Sequence, residues 1–307
     1  PKREAEARTK QILEQFYQKT QGEITRSFLS RMITRLESEQ SVKEYLDIMD
    51  HRKTEQLIDT LDKVEQNRKE CYIREFSIEH FHDSKVFETL IPKICKIFRE
   101  ENEELTGFEN EEILAEYQIY KTPGYVYMKG NVQICSAGKQ AADISAFPEG
   151  IAVAVGSEED VPDICPDQTI DKVFTIENLT SFYRFKQEHS LVIYLGGYHN
   201  RSRRNLLMQI YQKLPDAQYY HFGDLDAGGF YILEHLKRKT GIPFQMFQMD
   251  IETLKKYEDY AKPLTENDKK RLMQLEKMEL PDEERKLITY MLQKGIKLEQ
   301  ECISESQ

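Results

Sequence analysis

His221-Phe222-Gly223-Asp224-Leu225-Asp226-Ala227-Gly228-Gly229-Phe230 is the stretch on which the reading of the fold turns. It continues an apolar-aromatic run, Ala217-Gln218-Tyr219-Tyr220-His221-Phe222, that reads as a short strand. Gly228-Gly229 allows a tight turn into 230–239, which has helical spacing. Residues i and i+2 of a strand point the same way, so Asp224 and Asp226 offer two carboxylates to one point. Hard divalent cations such as Mg²⁺ are held by such an arrangement. Asp-rich turns with glycine also serve as plain loop punctuation, and a second feature is needed to separate the readings.

That feature lies upstream. Lys172-Val173-Phe174-Thr175-Ile176 is a compact β-prone run that ends in Glu177-Asn178-Leu179-Thr180-Ser181-Phe182. Between the two lies Leu191-Val192-Ile193-Tyr194-Leu195, closed by Gly196-Gly197 and followed by a helical stretch over 203–214. The segment therefore reads strand with Glu, short helix, strand, helix, strand with Asp-x-Asp, helix. Strands and helices alternating at this spacing imply a parallel α/β sheet flanked by helices. Ligands gather at the carboxyl ends of such strands, where Glu177, Asp224 and Asp226 all fall.

The pattern resembles the Toprim domains of topoisomerases, primases and related nucleases, over roughly 173–247. Within that group, Phe174 to Phe182, Gly196-Gly197-Tyr198, His221 to Phe230 and the tail Gly295-Ile296-Lys297-Leu298-Glu299-Gln300-Glu301 look like the C-terminal domain of the JetD family. These are nuclease subunits of the Wadjet anti-plasmid systems, related to the A subunit of topoisomerase VI. The likeness is much weaker before about residue 75. It implies that Glu177, Asp224 and Asp226 bind Mg²⁺ or Mn²⁺ and are catalytic. It also implies double-stranded circular plasmid DNA as substrate, with an SMC-type ATPase, its kleisin and accessory subunits as partners. Homodimerisation is expected, because cutting both strands takes two sites and a twofold dimer supplies them.

Asp224 is expected as a direct ligand, Asp226 as a ligand through water, and Glu177 as a ligand or a general base. Three close carboxylates repel, and a bound cation relieves that. Glu299 and Glu301 are either further ligands or surface glutamates of a C-terminal helix. In the topoisomerase relatives an arginine accompanies adjacent tyrosines. Glu116-Tyr117-Gln118-Ile119-Tyr120 has neither feature, which favours hydrolysis by metal-activated water over tyrosyl transesterification. A non-cleaving DNA-binding subunit is the other alternative. A phosphatase or nucleotidyltransferase of the Asp-x-Asp type is disfavoured by the motif's late position and by Ala-Gly-Gly after it.

The composition is that of an ordinary globular chain, 39% hydrophobic and 32% charged over 307 residues. That length holds two or three domains. No run reaches the roughly 18 apolar residues of a membrane span, and no signal-peptide pattern is read at Pro1, a start that leaves room for residues upstream. The five cysteines, Cys71, Cys95, Cys135, Cys165 and Cys302, are scattered and contain no Cys-x-x-Cys. This argues against a disulfide framework or zinc knuckle and for reduced, cytoplasmic thiols. The net charge of −11 gives no global attraction to nucleic acid, so a local basic patch must serve. Arg201, Arg203 and Arg204, with His199 just before them, are the candidates for phosphate contact. His199 also suits a structural hydrogen bond. Lys237-Arg238-Lys239 and Lys269-Lys270-Arg271 read as solvated helix faces, and His80 and His82 as packing or turn residues.

Residues 1–74 are charged and helix-prone, with apolar positions at helical intervals, and are expected to form a helical arm for packing or dimerisation. Residues 75–150 hold two expected helices, 84–98 and 111–117, and an alternating stretch over 124–134 with Gly130-Asn131 at its centre, read as a hairpin. Helices followed by a hairpin suggest a winged-helix-like α+β domain, as the resemblance also implies. Residues 147–167 read as a connector, and the Toprim catalytic domain with its helical tail as 170–307.

Overall fold

The structure is a computed structural model that describes residues 2–121, 124–136, 139–155, 163–196, 199 and 201–303, with the side chains of 2, 124, 136, 139–141 and 201 outside that description. The chain divides into two units, at residues 1–122 and 123–307.

The first unit is helical: α1 Lys2–Lys19, α2 Glu23–Glu37, α3 His51–Gln66, α4 Ile73–Phe81, α5 Val86–Glu101 and α6 Asn110–Glu116. One parallel pair of two-residue strands, β1 Cys71–Tyr72 and β2 Ile119–Tyr120, ties the segment after α3 to the one after α6. The apolar stripes read from the sequence close on one another, with Phe28, Leu29, Met32, Ile58, Leu61, Val64, Phe87, Ile94 and Phe98 fully buried. Glu65 of α3 is buried beneath α2, where its carboxylate accepts the Ile24 and Thr25 amides at 2.8 Å each and so caps that helix. Residues 1–74 are thus part of a packed helical unit that includes 75–121, not a separate arm.

The second unit is built on a six-stranded sheet. Its strands are β3 Gly124–Gly130, β6 Ile151–Val155, β8 Lys172–Ile176, β9 Ser190–Tyr194, β10 Gln218–Phe222 and β11 Gln245–Met246. Their spatial order is β11-β10-β8-β9-β3-β6. The four strands β11, β10, β8 and β9 run parallel, while β3 is antiparallel to β9 and β6 antiparallel to β3. Three helices, α7 Leu179–Arg184, α8 Arg201–Lys213 and α9 Ala227–Thr240, connect the parallel strands. The mixed α/β architecture expected from the alternation of elements is therefore present. Successive connections from β8 go first to β9 on one side and then to β10 on the other. The direction of winding reverses at β8, which makes the crevice between β8 and β10 a topological switch point.

Two expectations for 124–167 are corrected. The strands Gly124–Gly130 and Val132–Ser136 (β4) both form, but not as a hairpin. The first pairs with β6 and β9, and the second joins β5 Lys139–Asp143 and β7 Asp163–Pro166 in a separate three-stranded sheet. Gly130, at φ +136°, turns the chain from one sheet to the other instead of closing it on itself. The stretch read as a connector supplies β6 and β7. With the hairpin gone, so is the basis for a winged-helix boundary at 150: β3 and β6 belong to the six-stranded sheet of the second unit. Helices α10 Ile251–Lys256, α11 Glu266–Leu275 and α12 Asp282–Lys294 follow, then a short strand, Ile296–Lys297, and a 3₁₀ turn at Gln300–Cys302.

Among the described residues, no helix is long and apolar enough to cross a membrane.

Candidate metal centre

The crevice at the switch point is where the sequence places its acids. Val173, Phe174, Thr175 and Ile176 of β8 are buried on both faces, as a central parallel strand requires. Glu177 is the first residue beyond it. On β10, Ile176 stands opposite Phe222, so Glu177 and Gly223-Asp224 leave the sheet side by side. The Glu177 amide donates to Phe222 O at 3.1 Å, which extends the ladder to the acid itself. Leu225 is fully buried between the two aspartates, and the alternation leaves Asp224 and Asp226 half-buried on the crevice side.

Two glycines make this close approach possible. A Cβ on Gly223 would stand 2.6 Å from Glu177 Oε2 and 2.8 Å from His221 Nε2. A Cβ on Gly229 would stand 2.1 Å from Asp224 O. Asp226 is the N-cap of α9, and its Oδ1 accepts the Gly229 amide at 2.9 Å. Glu177 Oε2 accepts the Asp224 amide at 3.3 Å.

The C-terminal segment completes the site in a way the sequence did not indicate. Leu298 forms an isolated antiparallel bridge with Leu225, its carbonyl accepting the Leu225 amide at 2.9 Å. That bridge delivers Gln300, which is 0% exposed. Its amide donates to Asp224 Oδ1 at 2.6 Å, its Nε2 donates to Phe222 O at 2.7 Å, and its Oε1 accepts the Asn178 amide at 2.8 Å. Gln300 therefore ties together the ends of both acid-bearing strands. A polar residue between two glutamates carries the signature of a surface position, and only the tertiary bridge reveals it as internal. Glu299 and Glu301 lie on this turn and not on a C-terminal helix. Glu301 Oε1 accepts from Asn178 Nδ2 at 2.5 Å, beside the crevice, whereas Glu299 is exposed and ion-paired with Lys262 at 2.6 Å.

The electrostatics match an anionic pocket without a counter-ion. Among the described residues, none of Glu177, Asp224 and Asp226 is ion-paired to a lysine or arginine. Burial, and then the charges of Asp224 and Asp226, push the Glu177 carboxyl up to about 8. Burial pushes Asp224 up to about 6, against the opposing pull of the Gln300 amide. The donor set is all oxygen, suited to Mg²⁺ or Mn²⁺. Among the described residues, three ligand atoms gather within 4.8 Å only at Cys135, Asp163 and Cys165, so the triad stands wider. Like charges hold such groups apart, and a cation would draw them in. The chemistry of the residues fits a hard divalent ion on those terms.

The structure buries two residues of the basic stretch. His199 is 1% exposed, and its Nε2 lies 3.3 Å from His235 Nδ1. Arg204 is 7% exposed and donates to His199 O at 2.8 Å. Arg203 donates to Leu195 O at 2.6 Å. Arg203 and Arg204 turn back onto carbonyls of the segment that precedes α8, and the buried His199 and Arg204 do not present themselves to a phosphate. The Arg201 side chain lies outside the described residues, as do Gly197, Tyr198 and Asn200.

The second unit is thus a mixed α/β domain with three carboxylates at the switch point of its parallel strands. Residues 160–307 match the family described as "Wadjet protein JetD, C-terminal". The chain is also 28% identical over 263 residues to "Wadjet protein JetD" of Bacillus cereus (strain Q1), a match that covers 84% of this chain and 63% of that relative. Residues 160–307 are thus similar to the JetD C-terminal family, and the match spans somewhat under two thirds of that relative's length.

Proposed function

We propose that the second unit is a Toprim-type catalytic domain and that the chain is a metal-dependent DNA endonuclease subunit of a Wadjet-like anti-plasmid complex. One observation carries this reading: three carboxylates leave adjacent parallel strands at a switch point and, among the described residues, pair with no lysine or arginine. In this reading Asp224 and Glu177 hold the ion directly, and Asp226 holds it from the N-terminus of α9. Glu301 stands beside them. When bound, a divalent ion supplies Lewis acidity at a scissile phosphate and lowers the pKa of a water. The chain's own part is to orient and to tune. Gln300 fixes Asp224 by donating to one of its oxygens. Gly223 lets Glu177 approach the turn. Glu177, pushed up by burial and by the neighbouring aspartates, gives up its proton as it takes the ion.

A tyrosine nucleophile is less well served. Tyr117 packs its ring edge-on to Phe98, and burial pushes its phenol up, away from the phenolate an attack would need. The JetD likeness suggests plasmid DNA as substrate, cytoplasmic location, a twofold dimer, and an SMC-type ATPase with kleisin and accessory subunits as the machinery that presents the DNA. In a chain of net charge −11, delivery of DNA by partners takes the place of long-range attraction.

The test is cleavage of supercoiled plasmid with Mg²⁺ or Mn²⁺, by the chain alone and with the SMC complex, beside Asp224→Ala, with products run with and without protease. Nicked or linear DNA with free ends, lost in the variant, is expected. Ends that remain attached to protein, or no cleavage even with the complex present, would overturn the proposal.

A further inference from the structure

A second cluster of ligand atoms lies away from the carboxylate crevice, and sequence spacing hides it. Cys135 is on β4 and Cys165 on β7, in the three-stranded sheet. The antiparallel register sets Cys135 opposite Asp163 and Cys165 opposite Gln133, so all four side chains share one face. The two Sγ atoms and an Asp163 carboxylate oxygen lie within 4.8 Å of one another. Both cysteines are free and half-buried, and Asp163 is exposed, so the cluster is reachable from solvent.

The spacing suits a cation better than a disulfide. The two cysteines are diagonal, not directly opposed, and diagonal neighbours on an antiparallel pair stand about 7–8 Å apart at Cα. A disulfide needs less than about 6.8 Å. A tetrahedral ion with metal–sulfur bonds of about 2.3 Å instead holds its ligand atoms a little under 4 Å apart. Only a small closure separates the observed cluster from that value.

A positive charge is already drawn there. Lys213, in the last turn of α8, ion-pairs with Asp163, donates to Ile164 O at 2.6 Å and lies 4.0 Å from Cys165 Sγ. We propose that Cys135, Cys165 and Asp163 form a structural site for a thiophilic divalent ion of the Zn²⁺ type, with the Lys213 ammonium as its exchangeable occupant. The site is chemically distinct from the all-oxygen crevice, because thiolates select softer ions than carboxylates do. It would fasten β4 to β7, and β7 leads through 167–171 into β8 and Glu177. Binding would release the two thiol protons.

The test uses the full chain, reduced, with Co²⁺ as an optical probe and Zn²⁺ as competitor. One equivalent of Co²⁺ should give a thiolate-to-cobalt band, with about two protons released. The band should be lost in Cys135→Ser and in Cys165→Ser, persist in Asp224→Ala, and yield to Zn²⁺ but not to excess Mg²⁺. Lys213→Ala should bind Co²⁺ several-fold more tightly, because it removes the competing cation. Far-ultraviolet circular dichroism of each variant separates loss of a ligand from loss of fold. Absence of the band in a folded wild type would overturn the proposal, as would a band that survives Cys135→Ser. So would binding weakened by Lys213→Ala.

Discussion

Two polar clusters of similar prominence in the sequence meet opposite fates. Glu177, Asp224 and Asp226 leave the ends of adjacent strands and keep carboxylate oxygens turned into a crevice without a counter-ion. His199, Arg203 and Arg204 fold back beside the start of α8, where their partners include His235, Leu195 O and His199 O. The difference lies in what answers each group's charge or hydrogen-bonding need. In the basic cluster, His199 meets His235 of α9, and Arg203 and Arg204 donate to carbonyls of the segment before α8. The acidic cluster accepts backbone amides but, among the described residues, pairs with no lysine or arginine, and a site that carries such an electrostatic cost is one expected to bind something.

This contrast can be broken by substitution, and the largest effect falls on the acids. Asp224→Ala should lower plasmid cleavage at least about 10³-fold, measured by the rate of nicking at saturating Mn²⁺. Gly223→Ala tests the same site without touching a carboxylate. The new methyl meets Glu177 Oε2 and His221 Nε2, so Mn²⁺ affinity should fall about 10–100-fold, read by calorimetric titration. Arg204→Ala should behave in the opposite way. It leaves His199 O without a buried donor, so unfolding by urea should report a loss of about 1–3 kcal/mol with Mn²⁺ affinity unchanged. A fall in Mn²⁺ affinity equal to that of Gly223→Ala would erase the distinction between the clusters.

The smallest effect concerns pH. The folded-state carboxyl of Glu177 sits near 8, well above an unfolded value of about 4.3. The native state therefore holds an extra proton between those values, and stability falls as pH rises through that window. Glu177→Gln removes the liability. In metal-free buffer its Tm should exceed that of the wild type by a few degrees at pH 8 and match it near pH 4. Added Mn²⁺ should reverse the order at pH 8, because only the wild type gains the binding energy.

Much of this was legible in the sequence. The three acid-associated strands and their helices follow from β-prone runs closed by Glu177-Asn178, Gly196-Gly197 and Asp224-Leu225-Asp226, features set within a few residues. What was not legible depends on pairing at long range. Gly130-Asn131 has the local chemistry of a hairpin turn, yet β3 finds β9 and β6 while β4 finds β7 and β5. Gln300 looks like a surface residue until the Leu225–Leu298 bridge carries it under Asp224. Cys135 and Cys165 look unrelated until β4 and β7 set them on one face. His199 offers the same imidazole to solvent or to His235, and only the packing of α8 against α9 decides between them.

The most direct measurement is Mn²⁺ binding to the purified chain by electron paramagnetic resonance, in wild type, Asp224→Asn and Arg204→Ala at pH 8. The account predicts saturable binding in wild type and Arg204→Ala, and its loss in Asp224→Asn. Equal binding by wild type and Asp224→Asn would contradict it, because the ion would then be held somewhere other than the crevice between β8 and β10.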